Sequence, residues 1–318
     1  MKAIVYHKYG PPDVLELKEV EKPSPKDNEV LIKVHAASVN PLDWHFLRGT
    51  PLLARVGRGL LKPKNPILGA DIAGRVEAVG RNVKQFQPGE EVFGGTFESG
   101  LGGFAEYVCA PENVLALKPA GITFEEAAAV PVAALTALQG LRDEGQIRPG
   151  KRVLINGASG GVGTFAVQIA RSFGAEVTAV CSTRNLDMAC SIGANHVIDY
   201  TQEDFTQNGQ RYDLIIDNVG NPSVYKRLLS PRGICVINAG SYFLQLLLGP
   251  WLSITGSNKI GIFTSYSTNK EDLIFMKELI EAGKVAPVID RRYPLNEVAE
   301  AIRYLEEGHA RGKVIITV

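Results

Sequence analysis

The chain contains 318 residues, of which 45% are hydrophobic and 21% are charged. This composition is typical of a globular protein of about two domains, and it excludes a disordered chain, a coiled coil and a collagen-like repeat. Lys and Arg together number 34, as do Asp and Glu, so the formal net charge is zero. We therefore expect partnership with neither nucleic acid nor a membrane, although a local basic patch stays open.

Residues 1–119 have the pattern of a β-rich domain. Apolar runs such as 30–34 and 73–79 are separated by Pro, Gly, Asn and Asp, which predicts short antiparallel strands in a partly barrel-like sheet. The first residues already have a strand pattern, with neither an apolar signal core nor an Arg-rich transit segment. This start predicts a cytoplasmic protein.

From residue 123 onwards, strand and helix patterns alternate. Thr123 and Glu126 have the spacing of a capping box, and Pro131 is expected to divide the helical stretch that follows. Alternation predicts a parallel sheet with both faces covered. Strands are predicted at 152–156, 176–180, 196–199, 213–217, 233–238 and 259–263, and helices at 163–173 and 186–192.

The C-terminal residues are predicted to form helices at 271–282 and 296–307 and strands at 288–293 and 313–318. Before them lies an apolar stretch, 242–254, which polar and helix-breaking residues interrupt and which is too short to span a bilayer. It is expected either to cover the substrate pocket or to lie at a subunit interface.

The four cysteines carry little information about function. They form no CxxC pair, and no histidine lies beside them at metal-ligand spacing. We therefore expect neither a disulfide framework nor a structural zinc site, but four reduced thiols. They are Cys109, Cys181, Cys190 and Cys235.

The most informative segment is 153–163, with the sequence VLINGASGGVG. A strand pattern enters a glycine cluster and a helix pattern leaves it, which is the context of a dinucleotide-binding turn. Ala158, Gly160 and Gly163 take the three glycine places of that motif. Gly160 would let the backbone approach a pyrophosphate, and the helix N-terminus would supply N–H groups and a partial positive charge.

The end of the second strand indicates which dinucleotide is bound. NAD-binding proteins place a carboxylate there to hold the ribose 2′-hydroxyl, whereas this chain has Ser182, Thr183 and Arg184 and no carboxylate before Asp187. Ser182 and Arg184 could donate hydrogen bonds to a 2′-phosphate, which favours NADP(H). Alternatively, Ser182 and Thr183 only cap the next helix.

Several motifs together make the whole chain resemble the medium-chain dehydrogenase/reductase superfamily, and most closely its zinc-independent quinone oxidoreductase (zeta-crystallin-like) branch. The motifs are VNPLD at 39–43, LGADIAGRV at 68–76, VKQFQPGEEV at 83–92, GFAEY at 103–107, TA at 136–137, ASGGVG at 158–163, GA at 193–194 and GKV at 312–314.

The resemblance implies an α/β protein with a GroES-like β-rich catalytic domain and a doubly wound Rossmann cofactor domain. The GroES-like domain would comprise residues 1–123 and 266–318, and the Rossmann domain residues 124–265. The resemblance also implies a homodimer.

The departures from the zinc-dependent branch bear on the chemistry. That branch carries a ligand Cys where this chain has Asn40, and a His-Glu pair where it has Ala70 and Asp71. Without three suitable ligands, zinc is not expected. Hydride transfer would then require an acceptor that is already electrophilic, such as a quinone or an α,β-unsaturated carbonyl compound.

The resemblance also implies site residues. Asn40, Asp43 and His45 are the catalytic candidates: the resemblance puts Asn40 at the nicotinamide and substrate with Asp43 in the same loop, and His45 is the one histidine near them. Alternatively, the Asn40–Pro41 pair is a plain helix start and His45 is a packed or surface residue. Lys313 fits a C-terminal Gly-Lys cofactor contact, or else is a solvated lysine before an edge strand. The other expected cofactor contacts are Thr136 at the nicotinamide ribose, Ser159, Gly160, Gly161 and Val162 at the pyrophosphate, Ser182, Arg184 and Tyr200 at the 2′-phosphate, and Asn218, Val219, Asn238, Ala239 and Gly240 after the later strands.

Two other functions stay open. An enoyl-thioester reductase would need a basic rim for the phosphates of its carrier, for which Arg55, Arg58, Lys62 and Lys64 are the candidates. A protein that binds NADPH as a sensor or scaffold without significant turnover is the other possibility, because a fold does not fix a function.

Overall fold

The chain divides into two units in the structure, a computed structural model that describes residues 1–56, 58–207, 209–220, 222–238, 259–262 and 267–318. Unit 1 comprises residues 1–135, 267–282 and 287–318, and unit 2 comprises residues 136–266 and 283–286. The apolar stretch 242–254 and the predicted contacts Ala239 and Gly240 lie outside the described residues.

The described strands, in chain order, are β1 (Lys2–Val5), β2 (Glu16–Glu19), β3 (Glu29–Val39), β4 (Asp71–Val79), β5 (Glu91–Gly95), β6 (Tyr107–Pro111), β7 (Leu115–Leu117), β8 (Arg152–Asn156), β9 (Glu176–Cys181), β10 (His196–Asp199), β11 (Tyr212–Asp217), β12 (Leu229–Ile237), β13 (Lys259–Ile262), β14 (Ile289–Pro294) and β15 (Lys313–Thr317). The α-helices are α1 (Pro41–Arg48), α2 (Phe124–Ala128), α3 (Pro131–Gln139), α4 (Gly161–Ser172), α5 (Leu186–Ser191), α6 (Lys270–Glu281) and α7 (Val298–Glu306). Short 3-10 turns lie at Pro12–Val14, Leu52–Arg55, Glu112–Val114, Thr183–Asn185, Pro222–Arg227 and Leu295–Glu297, and a π-helical turn at Gly140–Glu144.

Unit 1 is built on a seven-stranded sheet in the order β14-β15-β3-β4-β5-β7, with β6 paired to β3. All its pairs are antiparallel except β14 with β15. Alternate residues of the central strands, such as Val30, Ile32, Ile72 and Val92, face a fully buried core. The strand-rich pattern of residues 1–119 therefore forms the predicted antiparallel sheet.

Unit 2 is a six-stranded parallel sheet in the order β10-β9-β8-β11-β12-β13. This confirms the doubly wound α/β prediction. Strand order reverses beside β8, so the carboxyl ends of β8, β9, β11 and β12 meet at one edge, where open α/β sheets bind ligands.

The predicted boundary at residue 124 differs from the division in the structure, because residues 124–135 lie in unit 1. Thr123 and Glu126 do form the predicted capping box: the Thr123 hydroxyl accepts from the Glu126 N–H at 3.2 Å and the Glu126 carboxylate accepts from the Thr123 N–H at 2.8 Å. Pro131 begins a new helix, as predicted. The cap fixes where α2 begins, but packing of α2 on β3 and β4 decides which unit holds it.

All four cysteines are free thiols. Among the described residues, no helix combines the length and the apolar character that crossing a membrane requires.

The glycine turn between β8 and α4 depends on a close backbone contact. Gly157 has a φ of +71°, which bends the chain directly after β8. A Cβ atom on Gly163 would lie 2.1 Å from the Gly157 carbonyl oxygen, so only glycine lets α4 approach the turn this closely. At Gly160 the nearest heavy atom to a built Cβ is 3.6 Å away, so that glycine is not required by the fold.

We predict that Gly163→Ala lowers the free energy of unfolding by about 1–3 kcal/mol, the usual cost of overpacking a filled site. Gly160→Ala is the matched control and should cost less than about 1 kcal/mol. Urea unfolding followed by circular dichroism measures both. Equal effects of the two substitutions would show that the contact with Gly157 does not constrain the turn.

Candidate cofactor and substrate site

The glycine turn of unit 2 leads directly into the N-terminus of α4. Gly160 is the N-cap of α4 and has an extended backbone, and Gly161, Val162 and Gly163 form the first helical turn. The Ala158 N–H donates to the Val180 carbonyl at 3.1 Å, which holds the turn against β9. A 12-residue helix that begins without a side-chain cap offers its first N–H groups to an anionic ligand.

Ser182, at the end of β9, is held by an amide that the sequence analysis missed. The Asn185 side chain donates one hydrogen bond to the Ser182 hydroxyl and one to the Ser159 hydroxyl, each at 3.1 Å. Ser182 makes no capping hydrogen bond with its side chain, so it is not the plain helix cap that the sequence left open. The only sequence signal for Asn185 is its spacing of three residues from Ser182.

Thr183 is tied to the next strand rather than to Ser182. Its hydroxyl donates to the Asp199 carboxylate at 2.5 Å and lies 2.9 Å from the Thr201 hydroxyl. Hydrogen bonds from Thr183 and Thr201 lower the pKa of Asp199, so this carboxylate is ionised at neutral pH. Tyr200, beside it, is 54% exposed, and Arg184 is also exposed.

A second group of predicted contacts surrounds the buried Asp217 carboxylate at the end of β11. Asp217 accepts from the N–H groups of Val219 and Gly220, each at 3.0 Å, and from the Asn156 amide at 3.2 Å. The Asn238 amide donates to the Asn218 side chain at 3.1 Å. Asp217 thus fixes the backbone that carries two predicted residues, a role that sequence reasoning did not assign.

Within unit 2, then, the structure brings three predicted groups to one sheet edge: the glycine turn, Ser182, and the Asn218–Asn238 pair. Val219 is 62% exposed beside that pair. Thr136 lies half-buried in α3. The contacts of all these residues with a cofactor stay predictions.

In unit 1, sheet register gathers a buried polar cluster around Asp71. Ser38 pairs with Asp71 across β3 and β4, and Val39 pairs with Val314 across β3 and β15. This register places Asn40, directly after β3, next to Lys313, at the start of β15. Asp71 has no exposed surface and Lys313 is 3% exposed.

Asp71 and Lys313 form the charged centre of this cluster. The Lys313 ammonium donates to the Asn40 side-chain carbonyl at 2.6 Å and lies 3.4 Å from the Asp71 carboxylate. Asp71 also accepts from the Ser38 hydroxyl at 2.6 Å, from the Asn40 amide at 2.9 Å and from the Val132 N–H at 2.9 Å. Burial lowers the pKa of Lys313, opposed by the attraction of Asp71.

Asn40 and Asp43 are more deeply buried than a substrate contact would suggest. Asn40 is 2% exposed, and its amide donates to the Ser38 carbonyl and to Asp71 while its carbonyl accepts from Lys313. Asp43 is fully buried and accepts from the N–H groups of Asn40 at 2.8 Å and Gly69 at 3.0 Å. This geometry favours a role in holding the loop, and the catalytic roles that the resemblance implies stay predictions.

Lys313 was expected either at the cofactor or in solvent. The structure contradicts the second alternative, because the side chain is buried against Asn40 and Asp71. Sequence could not reveal this contact, since the partners are separated by 273 residues.

His45 lies half-buried in α1. Its Nδ1 atom is 3.1 Å from the Thr50 carbonyl oxygen, and its ring stacks on Trp44 at 3.6 Å. A carbonyl only accepts, so Nδ1 carries a proton and Nε2 of the neutral ring is an acceptor. Burial lowers the pKa of His45, which disfavours the imidazolium form that a proton donor at Nε2 would need.

The described part of the chain contains no group of three or more His, Cys, Asp or Glu side chains arranged to hold a metal ion. Two of the four cations proposed for a carrier-phosphate rim are engaged elsewhere. The Arg55 guanidinium lies 4.3 Å from the centre of the Tyr9 ring, and that of Arg58 lies 3.8 Å from the centre of the Phe46 ring.

Comparison with known proteins places these features in context. Residues 26–120 match the family described as alcohol dehydrogenase GroES-like domain, and residues 192–316 match the family described as zinc-binding dehydrogenase. The chain is 36% identical to the chloroplast envelope quinone oxidoreductase homolog of Arabidopsis thaliana, over 99% of this chain and 98% of that protein. It is also 36% identical to the chloroplastic NADPH-dependent alkenal/one oxidoreductase of Arabidopsis thaliana, over 99% of this chain and 79% of that protein. The structure of the quinone oxidoreductase from Coxiella burnetii superposes with a TM-score of 0.88 and 32% identity, covering 100% of this chain and 99% of that one.

We predict that the buried charges of Lys313 and Asp71 are strongly coupled. Lys313→Met should lower the free energy of unfolding by about 3–5 kcal/mol, because it leaves a buried carboxylate unpaired. The double variant Lys313→Met, Asp71→Asn removes both charges and should lose less than the sum of the single losses. Lys84→Met, at an exposed position, is the control and should change stability by less than about 0.5 kcal/mol. Additive losses in urea unfolding would contradict the pairing.

A second prediction concerns pH. Burial raises the pKa of Asp43 to about 7, against the lowering effect of the N–H groups of Asn40 and Gly69. The folded state therefore holds this proton more tightly than the unfolded state, whose Asp pKa is about 3.9. The stabilising contribution is complete below about pH 4 and is lost as the pH rises to about 7.

The measurement is the difference in unfolding free energy between the wild type and Asp43→Asn from pH 4 to pH 8. We expect this difference to change across that range, with the wild type losing stability relative to the variant as pH rises. Asp187→Asn, at an exposed position, controls for a general loss of one carboxylate. A constant difference would mean that Asp43 stays ionised throughout.

Proposed function

This chain belongs to the quinone oxidoreductase family of the medium-chain dehydrogenase/reductase superfamily, and on that premise we propose that it reduces a quinone or an α,β-unsaturated carbonyl compound with NADPH and without zinc. It is an oxidoreductase. The observation that carries the cofactor proposal is the open glycine turn at Gly160 beside strand β9, which is followed directly by Ser182 rather than by a carboxylate. The names of the similar proteins support the acceptor class.

The sheet edge of unit 2 fits a phosphorylated dinucleotide. Gly160 has no side chain to block a pyrophosphate from the backbone, and the first N–H groups of α4 can donate to it. Ser182 and Arg184 can donate hydrogen bonds to a 2′-phosphate. Tyr200, the residue directly after β10, is the third residue proposed for that position. Ser159, Gly161 and Val162 are proposed at the pyrophosphate position, and the other residues proposed from unit 2 are Thr136, Asn218, Val219, Asn238, Ala239 and Gly240. The cofactor contact that the resemblance implies for Lys313, in unit 1, stays a prediction.

When bound, NADPH supplies a hydride, so the protein has to position the acceptor and stabilise the charge that develops on its oxygen. A quinone or a conjugated carbonyl compound spreads that charge onto oxygen without a Lewis acid. The proton then comes from solvent or from a nearby side chain. Neutral His45, with its Nδ1 proton bound to Thr50, is poorly suited to supply it at neutral pH.

The residues of unit 1 do not fit a catalytic zinc ion. The resemblance puts zinc ligands at the positions of Asn40, Ala70 and Asp71, and of these only Asp71 is a usual ligand. Its carboxylate is already engaged by the Lys313 ammonium, the Asn40 amide and the Ser38 hydroxyl. A divalent cation there would be repelled by the buried Lys313 ammonium, so zinc has no part in the proposed reaction. Assembly as a homodimer and a cytoplasmic location remain predictions.

We predict that the purified protein oxidises NADPH with 1,2-naphthoquinone, 9,10-phenanthrenequinone or a 2-alkenal in the presence of a zinc chelator. NADPH should be preferred over NADH by about tenfold or more in kcat/KM, since hydrogen bonds to a charged phosphate are worth about 1.5–3 kcal/mol. Crotonyl-CoA tests the enoyl-thioester alternative.

Ser182→Asp provides the matched test of the cofactor assignment. The new carboxylate should repel a 2′-phosphate and accept from a ribose hydroxyl, which would move the preference towards NADH. Asn82→Asp adds the same charge at an exposed site in unit 1 and should leave the preference unchanged. Loss of turnover on chelation, or turnover that prefers NADH in the wild type, would overturn the proposal. Binding of NADPH with no turnover of any acceptor would favour the sensor or scaffold alternative.

A further inference from the structure

We propose that Asn185 is a positioning residue that turns the Ser159 and Ser182 hydroxyls into hydrogen-bond donors for two separate phosphate positions of the cofactor. This inference rests on the proposed use of NADPH. It goes beyond that proposal because it couples the pyrophosphate position to the 2′-phosphate position through one buried amide.

The geometry of Asn185 is specific. The side chain is 4% exposed, and its Nδ2 atom is 3.1 Å from Ser159 Oγ and 3.1 Å from Ser182 Oγ. An amide nitrogen has two hydrogens, and each is directed at one of these hydroxyls. The Asn185 backbone N–H also donates to the Ser182 carbonyl at 2.8 Å, which fixes the turn that carries the amide.

The direction of these hydrogen bonds determines what the serines can do. A serine hydroxyl has one hydrogen and two lone pairs. Because each hydroxyl accepts from Asn185, its own hydrogen remains available to a further acceptor. Within the described part of the chain, neither hydroxyl makes another hydrogen bond. Both serines are half-buried, and an anionic phosphate is the acceptor that suits two free O–H groups.

The orientation of the Asn185 amide is decided by comparing it with the orientation in which Oδ1 and Nδ2 are exchanged. The Asn185 Oδ1 atom is buried without a hydrogen-bond partner. If the amide were rotated by half a turn, Oδ1 would accept from both serines, but the two N–H groups would be buried unpaired instead of one carbonyl. Unpaired buried N–H groups are rarer in proteins than under-satisfied carbonyls. The favoured orientation is therefore the one that leaves both serine hydrogens free.

The two serines serve different phosphates because they lie on different elements. Ser159 is in the glycine turn beside the N-terminus of α4, where the pyrophosphate is expected. Ser182 directly follows β9, where the ribose that carries the 2′-phosphate is expected. Asn185 thus links two segments that are 26 residues apart at its contact with Ser159. An unpartnered buried carbonyl costs stability, so the amide has little value to folding alone.

The experiment measures the affinities of 2′,5′-ADP and of ADP for the full-length protein by isothermal titration calorimetry. Both ligands have a 5′-phosphate; only the first has a 2′-phosphate, and only the second has the complete pyrophosphate. Ser182→Ala should weaken 2′,5′-ADP by about tenfold and leave ADP unchanged, whereas Ser159→Ala should weaken ADP by about tenfold. Asn185→Ala should weaken both ligands, by about three- to tenfold each.

The decisive comparison is made in the Ser159→Ala, Ser182→Ala background. If Asn185 acts through the two hydroxyls, adding Asn185→Ala there should change either affinity by less than about twofold. A full additional loss would show that Asn185 acts independently of the serines and would overturn the inference. The melting temperature without ligand reports any loss of folding in each variant.

A charge-matched pair tests whether the phosphates lie at the two serines. In Asn185→Asp the carboxylate can only accept, so both serine hydrogens would turn inward, and its charge would also repel a phosphate. The affinity for 2′,5′-ADP should therefore fall by about 30-fold or more. Asn195→Asp makes the same change before the amino end of β10, where the side-chain carbonyl accepts from the Val177 N–H, and it should leave both affinities unchanged. Unchanged affinity in Asn185→Asp would overturn the inference.

The wild-type affinities test the preference for NADPH, and the affinities of Asn185→Ala test the role of Asn185 separately. A wild-type protein that binds 2′,5′-ADP no more tightly than 5′-AMP would refute the preference for NADPH. A wild-type protein that shows the preference, with Asn185→Ala unchanged in both affinities, would refute only the role of Asn185.

Discussion

The buried carboxylate of Asp71 is the constraint on which the organisation of unit 1 depends. It sits in a β-strand core with no exposed surface, so its charge has to be compensated from inside the protein. Four groups provide this compensation: the Ser38 hydroxyl, the Asn40 amide, the Val132 N–H and the Lys313 ammonium. They come from three distant parts of the chain: the end of β3 with the residue after it, the start of α3, and the start of β15. The central strand pairs and the start of α1 therefore have to be assembled correctly before this charge can be buried.

In unit 2, short polar side chains at the carboxyl ends of parallel strands hold neighbouring polar groups in place. Parallel strands are buried on both faces, which leaves their ends as the natural place for polar groups. Asp217 holds two backbone N–H groups after β11, and Asn185 holds two hydroxyls after β8 and β9. Both arrangements fix groups that could otherwise rotate. A site prepared in this way loses less conformational entropy when it binds a ligand.

The sequence predicted features that depend on neighbouring residues. The glycine turn, the capping box at Thr123 and the break at Pro131 follow from the local spacing of residue types, and the structure confirms these elements. The Asp71 cluster could not be predicted from the sequence, because Lys313 and Asn40 are brought together only by the order of β15, β3 and β4 in the sheet. For the same reason the domain boundary predicted at residue 124 differs from the grouping by contacts: the local pattern there is helical, but α2 packs on β3 and β4 of unit 1. Asn185 was overlooked because its contact with Ser159 depends on how closely the glycine turn approaches β9.

The surroundings of Lys313 and His45 favour one chemical class of acceptor. In unit 1 the Lys313 ammonium lies 3.4 Å from the Asp71 carboxylate, at one of the positions where the resemblance puts a zinc ligand, and the proposed reaction needs no Lewis acid there. Neutral His45 has its Nδ1 proton committed to a backbone carbonyl. A protein with these groups contributes little to polarising a simple carbonyl or to protonating a strongly basic alkoxide. It suits an acceptor whose own conjugation lowers the basicity of the reduced oxygen, because an enolate or a hydroquinone anion can take its proton from water. In such a reaction the substrate's own conjugation, rather than the protein, delocalises much of the negative charge that develops on oxygen. An ordinary ketone lacks this conjugation, whereas a quinone or an enone has it.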